Sequence, residues 1–414
     1  MQDKRFTWMH SGQVGAAQMD GVKLSDGQIL GVLDCALVDG FNLLTPESSV
    51  KTTSTVTFTY AADHGYENKQ ILLVSDAEDV NLNGRHRIIS KTINTVTIDA
   101  SGVTDLSGAI VTKVAPLDFE SIFGSTTTGK RAYRSKNPES TRTVLYLDTT
   151  LPTSSGYSTA NPAKRAMVSL CENMTEIGIE INSYTKTIND KTRQKNGSLF
   201  WYQARPGTKT EATISIEYRS WVIVGNGDVF YLFNEWQDWT GMQSKLRDMY
   251  AFGDADSLGG EADQHNCMWM GAINPNDVTN FMTASTGGLL GGSYDSEACG
   301  FFIKDHTGIG GIQKFVMTTD GYADYRYTGH NQTLARIPSP NPASQSLICF
   351  PIHTLTSKGL RATLPKILAL PHDMLNNRAG WDLTITDNLL TVAVFYSRAT
   401  TGEENGFYAI DLGD

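Results

Sequence analysis

The chain has 414 residues and carries 34 Lys and Arg against 44 Asp and Glu, a formal net charge of -10. That balance disfavours a nonspecific nucleic-acid surface, and no run of about 18 apolar residues offers a membrane helix. The length predicts two or three domains at roughly 100 to 200 residues each.

Met1 to Phe6 are not followed by an apolar core of signal-peptide length, so a soluble protein made in the cytosol is expected. Next, Ser25-Asp26-Gly27 precedes a segment in which Leu30, Leu33 and Leu37 recur at helical spacing. This predicts a short amphipathic helix capped by Ser25 or Asp26. The helix and Trp8 are too little to form a core alone and are expected to pack on material beyond residue 116.

Residues 55 to 115 read as five short strands. In Thr55-Val56-Thr57-Phe58-Thr59-Tyr60 the apolar side chains share one face and the threonines the other. Ile71 to Ser75 is a continuous apolar run, and Asn83-Gly84 marks a tight turn before Arg85 to Ser90. Thr95 to Asp99 alternates again, and Ala109 to Ala115 supplies the fifth run. Five strands in so short a span fit a small barrel-like module, in which closure removes exposed edges.

Beyond residue 117 the signals remain mostly strands. Thr143 to Leu147 is one, and Ala163 to Asn173 suits either a helix or a buried strand. The clearest hairpin joins Ser220–Val224 to Val229–Phe233 through Gly225-Asn226-Gly227-Asp228. Residues 253 to 313 are glycine-rich and read as loops between short strands. Leu360 to Pro365 leads to Ile367 to Pro371, Leu390 to Phe395 gives a late strand, Ala409 to Leu412 closes the sequence, and no solenoid repeat of fixed period is apparent. The fold class is therefore mainly β: an N-terminal arm and helix over 1–50, a small inserted module over 51–116, and a large β-rich body over 117–414.

Cys35, Cys171, Cys267, Cys299 and Cys349 are odd in number, widely spaced and never CxxC, which argues against a disulfide framework or zinc ribbon. They are expected to be reduced and mostly buried.

Each candidate for chemistry has a plainer reading beside it. Gly124 to Lys130 spells GxxxxGK, but Arg131 stands where a phosphate loop needs a magnesium-binding hydroxyl, so a surface loop is expected. Asp254 to Asp263 is rich in carboxylates and glycines, yet Leu258 and His265 occupy calcium-ligand positions of a hand-type loop. Asp263, His265 and Cys267 lie close in sequence without a spacing that fixes their geometry. Glu217, Asp228, Glu235 and Asp238 lie among Trp221, Tyr231, Trp236 and Trp239, the nearest approach to a paired-carboxylate glycosidase site. Aromatic residues on a hairpin more often pack in a core. We expect no catalytic, cofactor-binding or metal residues.

Trp8 to Ala17 followed by Leu33 to Asn42 resembles the opening of a family of virion structural proteins from tailed bacteriophages and prophages. His64-Gly65, Val74 to Ala77 and Leu82-Asn83-Gly84 are similar to that family's barrel segment, and Trp221 to Leu232 to its central hairpin. Leu360 to Pro365 is similar to its C-terminal pattern, with Ala362 and Lys366 in place of glycines. The resemblance implies a noncatalytic structural component of the tail or baseplate, present in several copies and assembled into the virion in the host cytoplasm. Its partners would be itself, closing with cyclic symmetry, and other virion proteins. The alternatives are a receptor-binding fibre or tip protein recognising host surface glycan, and a polysaccharide depolymerase.

Overall fold

The structure, a computed structural model, describes residues 4–19, 28–150, 165–183, 199–202, 220–235, 247–257, 267–269, 272–273, 301–303, 311–317, 350–356, 359–370, 383–386, 388–399 and 402–413. It is mainly β, with three sheets and one short helix among these residues.

Strand β1 (Thr7–His10) opens the largest sheet, and helix α1 (Gln28–Leu33) continues directly into a π-helical turn over Asp34–Asp39. Ser25 and Asp26, the expected caps, lie outside the described residues. The helix is amphipathic as expected: Ile29, Leu30, Val32, Leu33, Ala36 and Leu37 are fully buried on one face, while Gln28, Gly31, Cys35 and Val38 on the other are half-buried and Asp39 is exposed. Gly40 ends the turn at φ 69°, its N–H reaching the Cys35 carbonyl at 2.9 Å. A Cβ there would strike the Val114 carbonyl, so the exit needs glycine.

The module contains all five expected strands, with two short ones added. Its elements are β2 (Phe41–Leu44), β3 (Ser48–Lys51), β4 (Thr55–Thr59), β5 (Ile71–Ala77), β6 (Gly84–Lys91), β7 (Thr95–Asp99) and β8 (Gly108–Val114). They pair in the order β2-β8-β5-β6-β7-β4-β3. Because β2 runs into β3 through the bend at Thr45-Pro46-Glu47, the two ends of that order are one bent strand and the ladder closes into a barrel. Proline at the bend removes the donor that a continuous strand would need.

The barrel is built from one unit used twice. Lys51, Thr52, Thr55, Val56 and Thr57 recur as Lys91, Thr92, Thr95, Val96 and Thr97, a separation of 40 residues. Both copies fold the same turn. The Thr52 N–H bonds the Thr55 carbonyl at 2.8 Å and the two hydroxyls meet at 2.7 Å, while Thr92 and Thr95 repeat this at 2.9 and 2.8 Å. Equivalent strands then pair with each other. In the β4–β7 ladder Thr57 faces Thr97 with hydroxyls 2.9 Å apart, and in β5–β8 Leu73 faces its own counterpart Lys113. A residue that pairs with its own duplicate lies on a two-fold axis, so an approximate dyad relates β3-β4-β5 to β6-β7-β8.

The body begins with β9 (Phe119–Ser125), β10 (Lys130–Ser135), β11 (Val144–Asp148), β12 (Arg165–Glu176), β13 (Ile179–Ser183) and β14 (Leu199–Tyr202), which belong to a second seven-stranded sheet. Ala163 to Asn173 thus resolves as strand over its described part. The third sheet has 13 strands and runs from β1 through β15 (Trp221–Gly225), β16 (Val229–Glu235) and β17 (Arg247–Asp254) to the C-terminal strands Gly359–Leu370, Leu389–Ala399 and Gly402–Asp411. The hairpin β15–β16 forms at the expected turn, where Asn226 Oδ1 accepts the N–H groups of Asp228 and Val229 at 2.9 and 3.1 Å.

That hairpin separates two cores. Trp221, Ile223, Phe230 and Leu232 face a core shared with α1, the module and the second sheet. Val222, Val224, Tyr231 and Phe233 face a core shared with Phe6, Trp8, Leu390, Tyr408 and Ile410. Burial on both faces is why its sequence is a continuous apolar run rather than an alternation.

Candidate functional site

The junction of module and body concentrates the buried polar chemistry of the described residues. Strand β6 carries Arg85 and Arg87 on the barrel's outer surface, as alternation requires. The body then covers that surface, leaving Arg87 only 4% exposed. Its guanidinium donates to three carbonyls: Phe6 at 2.7 Å, Lys69 at 2.5 Å and Leu412 at 2.7 Å. Both ends of the described chain are thereby held to the module. Arg85 donates to the Pro116 carbonyl at 2.5 Å, and Arg5 donates back to the Arg85 carbonyl at 2.9 Å. Gln70 and Gln13 pair by their amides, and Gln70 Nε2 also reaches the Trp8 carbonyl at 2.8 Å.

Beside this clamp lies an open cleft of about 510 Å³. The body contributes Trp8 and His10 from β1, whose rings stack at 5.4 Å and 14°, together with Leu383 and Ile385. The module contributes Ile89, which is 47% exposed, and Glu67, Asn68 and Lys69 from the β4–β5 connection. The Trp8 indole N–H is satisfied by the Asn68 carbonyl at 3.0 Å, and Glu67 pairs with Lys91 at 2.6 Å. This volume lies in the range of small-molecule sites, and the lining mixes polar and apolar surface in similar measure.

A second polar cluster binds α1 to the second sheet. The buried Asp34 carboxylate accepts from Arg131 Nε at 2.9 Å, Arg131 Nη2 at 2.8 Å and the Tyr133 hydroxyl at 2.8 Å. The Leu117 N–H meets the Ala36 carbonyl at 2.9 Å. A third lies where the β15–β16 turn meets the β10–β11 connection. There the Asn137 amide donates to Asp228 at 2.7 Å, while Thr141 donates to Asp254 from its N–H at 2.9 Å and its hydroxyl at 2.5 Å. Burial, with Asp228 adding repulsion, pushes the Asp254 carboxyl up to about 6.

The sequence candidates fall as follows. Gly124 to Arg131 forms the β9–β10 hairpin, not a loop entering a helix; Lys130 pairs with Asp148 at 3.2 Å and Arg131 serves Asp34. Asp254 spends its carboxylate on Thr141, whereas Leu258, Asp263 and His265 lie outside the described residues, as does the side chain of Cys267. Trp221 and Tyr231 are fully buried, with polar atoms bonded to the Ala17 and Pro365 carbonyls at 2.9 and 2.7 Å, so they are core and not a sugar platform. Asp228 is bound to Asn137. Glu217, Trp236, Asp238, Trp239 and the Glu235 side chain lie outside the description. Cys171 is buried and Cys35 partly so, both as free thiols; burial pushes Cys171 up to about 12. The other three cysteine side chains are not described. Among the described residues no His, Cys, Asp and Glu cluster could hold a metal.

Sequence reasoning passed over Arg87, Gln70 and Lys69, and took Trp8 for packing alone. Arginines alternating along a strand read as its solvent face, and only partners as much as 325 residues away bury Arg87.

No family model and no curated relative matches the sequence. Among solved structures, a phage phi92 endosialidase aligns with 90% of this chain and 52% of its own, at 9% identity and a TM-score of 0.16. The chain thus spans about half the length of that protein, and the score lies below that of a shared fold.

Proposed function

We propose that this chain is a noncatalytic structural component of a tailed-phage virion that self-assembles in the tail or baseplate region. The observation that carries the reading is how its buried and half-buried polar groups are used. Arg85, Arg87, Gln70, Asp34 and Asp254 each join one sheet, helix or module to another. Such a build keeps the module in fixed register with its body, as a part that transmits load between neighbours requires. The resemblance of Trp8 to Ala17 and Leu33 to Asn42 to virion structural proteins supports the same reading. Its partners are then copies of itself and adjoining virion proteins.

The test is genetic and visual. A nonsense mutation in the gene, with and without complementation, should yield particles that lack a defined part of the tail, and imaging of complemented particles should place this subunit there. Complete, infectious particles without the protein would overturn the reading. A second reading, a receptor-binding tip protein, is favoured by the cleft beside β1.

A further inference from the structure

The two-fold relation within the barrel makes its departures informative. In the first unit the β3–β4 ladder runs without interruption through Ser48, Ser49, Val50 and Lys51. In the second, the β6–β7 register shifts between Ile88 and Ser90, so that Ile89, the counterpart of Ser49, is a bulge. Bulges re-aim side chains, and this one turns an isoleucine into the cleft. Lys69 also lines the cleft and adopts φ 64°, a left-handed conformation that L side chains disfavour. Its counterpart Ala109 has no left-handed backbone, although it too sits at a register shift, in β8. The two irregularities are joined by a hydrogen bond from the Lys69 N–H to the Ile88 carbonyl at 3.2 Å. Both depart from the duplicated pattern on the same wall.

The chemistry of that wall selects a ligand class. Ile89, Leu383 and Ile385 offer an apolar surface, while Asn68 and Glu67 supply hydrogen-bonding groups beside it. Apolar surface flanked by both donors and acceptors fits a sugar ring, whose C–H face and hydroxyls need both. Glu67 is neutralised by Lys91. Among the described residues the Lys69 ammonium has no carboxylate partner, which leaves one uncompensated positive charge on the rim of a chain whose net charge is -10. From this arrangement we propose that the cleft binds an acidic oligosaccharide, its ring against Ile89, Leu383 and Ile385 and its carboxylate at Lys69. The site goes beyond the structural role and does not depend on it.

Calorimetric titration of the full chain with tetragalacturonate, maltotetraose and tetraglutamate tests the proposal. Saturable binding of tetragalacturonate is expected, at least tenfold tighter than either of the others. Lys69→Asn keeps a residue that tolerates the left-handed backbone and removes the charge; it should weaken binding at least tenfold. Ile89→Glu, at an exposed position, should do the same by placing a carboxylate in the cleft. Lys51→Asn, at the exposed counterpart of Lys91, should bind as the unaltered chain does, with circular dichroism showing all three folded. No saturable heat, or an unchanged affinity in folded Lys69→Asn, would overturn the site. Equal binding of maltotetraose would overturn the role of charge, and equal binding of tetraglutamate would overturn the sugar.

Discussion

Two buried titratable side chains give this protein opposing responses to acid. His64 accepts the Tyr66 N–H at Nδ1 (3.0 Å), while Nε2 lies 2.9 and 3.2 Å from the carbonyls of Thr92 and Thr95. Only a neutral ring protonated at Nε2 satisfies all three. Burial lowers its pKa, outweighing the two carbonyls that favour the cation. A folded pKa below the unfolded 6.5 means that this contribution to stability is present above pH 6.5 and lost as pH falls through the folded value. Denaturant unfolding between pH 7.5 and 5 should therefore show a loss of stability that is absent in His64→Gln. Asp254 acts the other way. Raised from 3.8 to about 6, it contributes stability that is present below pH 3.8 and lost as pH rises through about 6. Asp254→Asn removes the buried charge while the Thr141 hydroxyl can turn to keep a partner. At pH 7.5 it should be more stable than the unaltered chain, by an amount on the order of 2 kcal/mol, and that gain should vanish near pH 4. Unfolding midpoints at the two pH values check the sign.

At the scale of elements, the strands with a clean period of two and the hairpin at Asn226 were legible because each carries its own signal. Strands β2 and β3 were not. They are short, broken by Pro46 and mostly outward-facing, so neither shows the alternation that marked β4. The duplication was legible in Lys51 to Thr57 and Lys91 to Thr97, but a search for many-fold solenoid periods passes over a unit used only twice. Helix α1 was legible from its leucine spacing, which marks the face that is buried; what covers that face, the module and the second sheet, was not legible. Leu33→Asp would place a charge in that dry environment without a partner, at a cost of more than about 4 kcal/mol. Expression should give insoluble or unfolded chain, seen as loss of near-ultraviolet circular dichroism; a folded, soluble variant would show that α1 packs elsewhere.

For the whole molecule, Arg87 decides whether module and body behave as one. Its three carbonyl partners come from the N-terminal arm, the β4–β5 connection and the last described strand's exit. Arg87→Met keeps much of the volume and leaves three buried carbonyls without that donor, a loss of roughly 3 kcal/mol. Calorimetry should show one unfolding transition splitting into two, the module melting first; a single transition at an unchanged midpoint would mean that the Arg85 and Gln70 contacts suffice. This level of organisation was the least legible, because the groups that make the cleft and the clamp meet only after the chain's two ends have come together. The duplicated barrel has a further consequence for how the chain folds. Each unit owns one hairpin but none of the ladders that join β4 to β7 or β5 to β8, so neither unit can complete itself before the other exists. It amounts to a dimer written into a single polypeptide, with the connection between β5 and β6 as its tether. Such a module gains its cooperativity from contacts made across the span of a whole unit, and a partly synthesised chain must wait for the second copy before the first becomes a barrel.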